Sequence, residues 1–108
     1  MNELRWTKSE KIISKRAFEK CYQRECKAIL TKLKERIASA DKPSDLWLIH
    51  DFLTEELKNI EYKYDYRYSV LILLFARLLK EGWLQESDLD GLEEDKVEKI
   101  MYLAKGIE

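Results

Sequence analysis

Residues 6–39 have the sequence WTKSEKIISKRAFEKCYQRECKAILTKLKERIAS, which contains neither proline nor glycine. Thr7 and Glu10 form the T-x-x-E pattern of a capping box, so a helix is predicted to begin near Lys8. The first helix breaker is Pro43, and the helix is therefore predicted to run to the end of this stretch. At 1.5 Å per residue, it would be roughly 45–50 Å long.

Apolar residues recur along this helix at spacings of three and four, which is typical of a buried helix face. A compact domain of this length has a radius of gyration of about 13 Å, so one subunit cannot cover so long a stripe. A second copy is the simplest cover, and two-fold pairing is the commonest arrangement. We therefore predict a homodimer. The predicted interface residues are Phe18, Tyr22, Ile29, Leu33 and Ile37.

The composition limits the fold class. The chain has 108 residues, of which 38% are charged, three are glycine and one is proline. These values exclude collagen-like chains, flexible linkers and all-β folds with many turns. Hydrophobic residues make up 45% of the chain, which is enough apolar area to argue against disorder. We predict an all-α fold, with a long N-terminal helix and three to four shorter helices in a dimeric helical assembly.

The middle of the chain is predicted to form two further helices. Ser44 is a good N-cap for a second helix that extends to about Ile60. Tyrosines alternate with polar residues over 61–68, as in a half-buried strand. No second strand-like segment is available to pair with it, so we interpret this stretch as part of a third helix. Gly82 is a natural residue to end that helix.

A last helix completes the predicted organisation. Ser87 is a candidate N-cap, and the apolar spacing after it predicts a helix closed by Gly106. We expect residues 1–108 to form a single all-helical domain. Within it, 8–60 would be the long-helix and dimerisation part, and 61–108 would be a head.

The charges are unevenly distributed along the chain. Residues 1–40 contain 11 basic and 5 acidic side chains, whereas residues 41–108 contain 9 basic and 16 acidic ones. This asymmetry is compatible with a basic arm that binds nucleic acid. Neutralisation of the two parts within one fold or across a dimer explains it equally well, and we favour that interpretation. Lys96 and Lys99 of the last helix are predicted to be solvated, although a charged partner could use them.

The two cysteines indicate no disulfide. Cys21 and Cys26 are five residues apart, so on a helix their side chains diverge, and both are expected to be reduced. No signal-like segment opens the chain, and its longest apolar run is far shorter than a membrane span. These features predict a cytoplasmic protein without direct membrane insertion.

The single histidine belongs to the strongest candidate site. Residues spaced by three or four place Trp47, His50, Asp51, Thr54 and Lys58 on one stripe of the second helix. Either Trp47 covers an edge of the core beside ordinary surface residues, or the stripe is a recognition patch with an aromatic anchor and a polar rim. No nucleophile accompanies the His-Asp pair, and one histidine does not make a zinc site. We therefore predict no catalytic residue, no metal and no cofactor.

Three segments resemble the fluorescence recovery protein family. They are DLWLIHDFL at 45–53, KYDYRYS at 63–69 and EGWL at 81–84. The resemblance covers about residues 45–100, and YQRE at 22–25 extends it upstream.

Several properties follow from that resemblance as expectations. Members of this family are small all-helical dimers found mainly in cyanobacteria. They bind the light-activated red form of the orange carotenoid protein, chiefly through its C-terminal domain, and speed its return to the inactive orange form. They also help to detach it from phycobilisomes, which ends photoprotective quenching. The resemblance implies a non-enzymatic regulator with no nucleic-acid partner. It also implies association with the cytoplasmic face of thylakoids through the partner.

The resemblance also assigns site residues. Trp47, His50 and Asp51 match the functional patch of the family on the second helix. Leu73 and Lys99 resemble positions of a head that contacts the partner.

The chain departs from the family pattern at one place in the patch. An arginine expected shortly after the His-Asp pair is absent; Leu57 stands near that place, and Lys58 follows it. We include Lys58 among the candidate partner-binding residues, although lysine lacks the planar two-pronged donor of arginine. Two alternatives remain open. The protein could be a dimeric helical module for another partner in an organism without phycobilisomes, or a nucleic-acid-binding regulator that uses its basic first helix.

Overall fold

The computed structural model describes residues 5–106, and within these residues every regular element is helical. This confirms the predicted all-α fold. The molecule is elongated, measuring 55 × 26 × 25 Å, with a radius of gyration of 16.9 Å. The elements are α1 (Lys8–Ser39), α2 (Pro43–Lys63), α3 (Leu71–Glu81), a short 3-10 turn (Glu86–Leu89) and α4 (Glu94–Gly106).

Helix α1 has the bounds that the sequence predicts. The N–H of Glu10 donates to the Thr7 hydroxyl at 3.1 Å, and the N–H of Thr7 donates to the Glu10 carboxylate at 3.0 Å. These two bonds form the predicted capping box and satisfy donors that the first turn leaves free. The helix ends at Ser39, before the link that precedes Pro43.

Helix α2 begins two residues earlier than predicted. Pro43 is its first residue, and a proline fits there because that position has no intrahelical N–H bond to lose. The Asp45 carboxylate accepts hydrogen bonds from the N–H groups of Asp41 at 2.9 Å and Lys42 at 3.2 Å. The prediction of Ser44 as N-cap was therefore wrong, because Asp45 supplies the cap.

Residues 61–63 belong to α2 and residues 64–70 are not helical, so the prediction that 61–68 belongs to a third helix was wrong. Tertiary packing explains the difference, because alternate tyrosines of this link place their rings on α1. The Tyr64 and Tyr66 rings meet the Phe18 ring edge-on, with centroids 5.4 and 4.9 Å apart. Helix α3 then runs from Leu71 to Glu81, and Gly82, whose positive φ gives the predicted stop, caps it.

The hydrophobic core lies at one end of the molecule. Helices α3 and α4 pack on each other and on the N-terminal half of α1, while the rest of α1 extends away with α2. In α2, only Ile60 and Lys63 are buried. We call α3, the 3-10 turn and α4 the head. Fully buried core residues include Ala17, Cys21, Leu71, Phe75, Leu78, Leu89 and Ile100.

One ion pair lies inside this core. The Lys96 ammonium is 3.0 and 3.1 Å from the two carboxylate oxygens of Glu10, and both side chains are 2% exposed. Glu10 also accepts a bond from the Glu93 N–H at 2.9 Å. The prediction that Lys96 is solvated was wrong, because its partner lies 86 residues away in the sequence.

A second group of charges joins the basic and acidic parts of the chain at one place. The Arg24 guanidinium lies 2.6 Å from the Asp88 carboxylate and donates to the Trp83 carbonyl at 2.8 Å. Burial alone would raise the pKa of Asp88, but its hydrogen bonds with Arg24 and the Gln85 N–H hold it below its usual range. These contacts fasten the head to α1.

The cysteines are unbridged. Cys21 is fully buried, its thiol donates weakly to the Trp83 carbonyl at 3.4 Å, and burial raises its pKa to about 12. A thiol in this environment stays protonated at neutral pH. None of the helices between residues 5 and 106 is long and apolar enough to cross a membrane.

The loop after the 3-10 turn depends on Gly91. Its φ is +98°, and a Cβ added there would lie 2.5 Å from Cδ1 of Ile13. Gly82 has a similar φ of +90°, but nothing lies within 4 Å of its added Cβ. We expect Gly82→Ala to destabilise the protein by about 1 kcal/mol through backbone strain alone. Gly91→Ala should cost about 2 kcal/mol or more, because Ile13 must also move.

Urea denaturation of the two variants measures this difference. Equal losses of stability would show that the contact with Ile13 makes no contribution.

Candidate functional site

The α2 patch, which we define as Trp47, His50, Asp51 and Lys58, lies on one exposed stripe of α2. Trp47 is 63% exposed, so it does not cover the edge of the core of its own chain. The exposed side chains of His50 and Asp51 approach each other, with Nδ1 and Oδ1 3.3 Å apart. This arrangement presents an aromatic surface beside a directional polar pair, which suits protein recognition.

The rest of the patch lies further along the same helix. Lys58 is exposed, and its ammonium is 3.7 Å from the Glu55 carboxylate. Eleven residues separate Trp47 from Lys58, which corresponds to about 16 Å along the helix axis. Thr54 lies between them, and its hydroxyl donates to the His50 carbonyl at 2.9 Å. Leu57, near the place of the expected arginine, is exposed.

Contacts at the middle and at the end of α2 position the patch. Near the middle, the Arg36 guanidinium of α1 lies over the Phe52 ring, 4.3 Å from its centroid. At the end, the buried Lys63 ammonium lies 2.6 Å from the carboxylates of both Glu25 and Glu81. Because Glu25 belongs to α1 and Glu81 to α3, this one lysine ties α2 to both of its neighbours.

The surroundings of this junction keep Glu81 ionised and Tyr64 neutral. Burial alone would raise the pKa of Glu81, but hydrogen bonds from Lys63 and Arg77 lower it below its usual range. The Tyr64 hydroxyl donates to Glu25 at 2.8 Å, and burial raises the pKa of that tyrosine. The junction is therefore a fixed network at neutral pH.

The head carries a second candidate surface. Leu73 of α3 is exposed, as is Tyr102 of α4, and both line a shallow groove of about 470 Å³. We call this the head groove. Lys99 is exposed and precedes Leu103 of the groove by one helical turn. The structure therefore places Leu73 in the head groove, whereas Lys99 is exposed on α4 without lining the groove. The lining residues of the head groove are Leu73, Tyr102, Leu103, Lys105 and Gly106.

Sequence analysis missed Tyr102, although its spacing contained a signal. Tyr102 follows Lys99 by three residues, so the two share a helix face. An exposed tyrosine on the face of a candidate contact residue has the composition of an interface centre.

The predicted dimer residues occupy two environments. Phe18 and Tyr22 pack against Tyr64 of the same chain, with Tyr22 remaining partly open. Ile29 and Leu33 are partly buried, and Ile37 is 56% exposed. Other large apolar side chains are exposed on the same half of α1 and on α2. They are Leu30, Leu46, Leu48, Leu53 and Leu57.

No cluster of three or more His, Cys, Asp or Glu side chains suited to a metal ion occurs between residues 5 and 106. The His50–Asp51 pair is exposed and can supply hydrogen bonds and charge to a partner. The arrangement is therefore one that can bind another macromolecule.

Comparisons with known proteins agree with this arrangement. A family model described as "Photoprotection regulator fluorescence recovery protein" matches residues 6–104. The fluorescence recovery protein of Synechocystis sp. PCC 6803 is 40% identical over 103 residues, which are 95% of this chain and 94% of that protein.

Solved structures are also similar to this chain. The Fremyella diplosiphon fluorescence recovery protein superposes with a TM-score of 0.86 at 38% identity, covering 94% of this chain and 99% of that one. The Synechocystis protein and a variant of it with lysine in place of an arginine each give a TM-score of 0.87 at 40% identity, with the same coverage.

Proposed function

Because this chain belongs to the fluorescence recovery protein family of photoprotection regulators, we propose that it binds the photoactivated orange carotenoid protein. Binding is chiefly to the C-terminal domain of that partner and accelerates its return to the inactive form. Phycobilisome quenching then ends. In this proposal the protein is not an enzyme and needs no cofactor of its own.

The proposed mechanism rests on differential affinity. A protein that binds the photoactivated state, or the barrier between states, better than the dark state changes the rate of relaxation without forming a covalent bond. Trp47 would anchor the partner, and His50 and Asp51 would give directional contacts. Lys58 would add a charge at the end of the stripe. In the head, Leu73 would contribute an apolar contact, and Lys99 would meet an acidic surface.

The exposure of Trp47 is the observation that carries this proposal. Exposed tryptophans are uncommon on surfaces that bind nothing, whereas tryptophan is enriched among residues that dominate binding energies. The contacts of Arg36 and Lys63 hold the middle and the end of α2 on the neighbouring helices, so the anchor is presented on a helix that is fixed in place.

The exposed apolar side chains of α1 and α2 support a homodimer as the working form. A contiguous apolar surface of this kind normally marks an interface, and an isologous contact buries the same surface on both subunits. The pairing would cover exposed apolar side chains of α1 and α2 and leave the α2 patch and the head accessible.

Trp47→Ala tests the proposal. Truncation of such an anchor typically costs about 2 kcal/mol of binding, so affinity for the photoactivated partner should fall about thirtyfold. Stability should change by no more than about 0.5 kcal/mol, because the side chain lies on the surface. The measurements are the recovery of absorbance of the orange carotenoid protein after illumination and the thermal melting of the same preparation.

Tyr62→Ala provides the matched control. Tyr62 is an aromatic residue of the same helix that is 84% exposed and lies outside the patch, so its loss should leave recovery unchanged. The proposed recognition role of Trp47 is wrong if Trp47→Ala unfolds the protein. It is also wrong if the folded variant accelerates recovery of the orange carotenoid protein as fast as the unaltered chain does.

A second candidate function follows from Leu57. An exposed leucine stands near the place where the family resemblance predicts arginine, and Lys58 is rotated from it by about 100° around the helix. A partner recognised there would meet an apolar surface in place of a guanidinium. This favours a dimeric interaction module with a different partner, and it becomes the preferred function if the unaltered protein fails to accelerate recovery of the orange carotenoid protein.

A further inference from the structure

A shallow basic groove runs along the first turns of α1, away from the α2 patch and the head groove. Its volume is about 810 Å³, and one wall is formed by Tyr66 and Tyr68 of the link between α2 and α3. The opposite wall of the groove is formed by α1. The basic residues that line the groove are Lys8, Lys11, Lys15, Arg16 and Lys20.

Most of these cations have no ion-pair partner between residues 5 and 106. Of the five cations, only Lys20 has an ion-pair partner among residues 5–106, namely Asp88 at 3.8 Å. Two of the others are held over aromatic rings. The Lys11 ammonium is 5.3 Å from the Tyr68 ring centroid, and the Lys15 ammonium is 4.9 Å from that of Tyr66. Concentrated charge on ordered side chains favours an anionic partner.

The groove also contains one exposed apolar side chain, which a partner must match. Ile12 lies among the cations and is 55% exposed. An isoleucine surrounded by cations and tyrosines has the composition of an interface centre, in which an apolar contact is enclosed by polar groups. A partner that is only a polyanion would leave this side chain without a matching surface.

One further charge argues against a nucleic acid. Glu19 belongs to the groove lining. A phosphate backbone has uniform negative charge and would be repelled by Glu19, whereas a peptide can place a neutral side chain opposite it.

We propose that this groove docks a short acidic protein segment that carries one apolar side chain. The acidic groups meet Lys8, Lys11, Lys15 and Arg16, and the apolar side chain packs on Ile12 between the tyrosines. From Lys8 to Lys20 the groove spans about 18 Å, which an extended segment covers with about six residues. The proposal goes beyond the proposed function, because it uses no residue of the α2 patch or the head groove.

Fluorescence anisotropy with three labelled probes tests this docking site. The first probe is a peptide of about six residues, in which aspartates and glutamates flank one leucine. The second has serine in place of that leucine, and the third is a random-sequence DNA duplex. The unaltered protein should bind the leucine peptide most tightly, with an affinity that decreases as salt rises.

Charge reversal in the groove should remove that binding. Lys11→Glu with Arg16→Glu is expected to weaken the leucine peptide by at least about tenfold. Lys27→Glu with Lys34→Glu makes the same change in net charge at exposed positions of α1 outside the groove. This control should weaken binding by less than about twofold, since those charges lie farther from the bound peptide.

Ile12→Ala separates the apolar contact from the charge. It should weaken binding of the leucine peptide but leave the affinity for the serine peptide unchanged, because only the leucine side chain packs on the isoleucine. Equal losses from the two charge reversals would overturn the proposal, as would tighter binding of the duplex than of either peptide. Absence of saturable binding of the leucine peptide at low salt would also overturn it.

Discussion

Replacing Lys96 with methionine is expected to destabilise the protein by about 3–5 kcal/mol. Removing one partner of a buried ion pair leaves the other charge without compensation, and Glu10 has almost no access to water. Urea denaturation followed by circular dichroism measures the loss. Lys99→Met is the matched control, because Lys99 belongs to the same helix but is exposed, and its effect should stay within about 0.5 kcal/mol.

The same ion pair predicts how stability depends on pH. Burial alone would raise the pKa of Glu10, but hydrogen bonds from the Glu93 and Thr7 N–H groups and from Lys96 lower it to about 2. The folded-state pKa is therefore below the ordinary value of 4.5. The carboxylate then stabilises the fold fully above that ordinary value, and this contribution is lost as the pH falls towards 2.

Lys96→Met should shift acid unfolding to higher pH, because it removes one of the groups that keep Glu10 ionised. A variant with the stability and acid midpoint of the unaltered protein would show that the ion pair does not hold α4 on α1.

Ile37→Glu is expected to convert the protein from dimer to monomer. Ile37 is exposed in the single chain, so the change should leave the fold of the monomer intact. In the proposed dimer the new carboxylate would be buried without a partner, which costs several kcal/mol. Size-exclusion chromatography with light scattering at micromolar concentration measures the change. Leu33→Glu, at a partly buried position of the predicted interface, should also dissociate the dimer.

Thr31→Glu is the control for this experiment, because Thr31 is an exposed polar residue elsewhere on α1. It should remain dimeric. The dimer proposal fails if the unaltered protein is already monomeric at that concentration, or if Ile37→Glu and Thr31→Glu have the same oligomeric state.

The parts of the fold that local sequence determines were predictable. The bounds of α1 follow from the Thr7–Glu10 capping box and the absence of a breaker before Pro43, both of which act within a few residues. The exposure of Trp47 was one of two open interpretations, and the structure selects it. The spacing on α2 grouped Trp47 with His50, but spacing alone does not show which helix face is covered.

The parts that distant contacts determine were not predictable. Residues 64–70 contain no breaker, and only the rings of α1 explain why this link leaves the helix. The sequence around Lys96 is typical of a surface lysine, and only the fold shows that Glu10 lies beside it. The basic groove likewise combines residues of α1 with tyrosines more than 40 positions later, and no local pattern indicates that pairing.

The contact between Glu10 and Lys96 also sets the order of events during synthesis. The two residues are 86 positions apart, and a ribosome adds about 5–20 residues per second, so Lys96 is made roughly 4–17 s after Glu10. Helix α1 can form within microseconds, and it then waits for the head that covers it. The nascent chain therefore exposes Ala17 and Cys21 for seconds, and a chain that terminates before Lys96 leaves the Glu10 carboxylate without its cation.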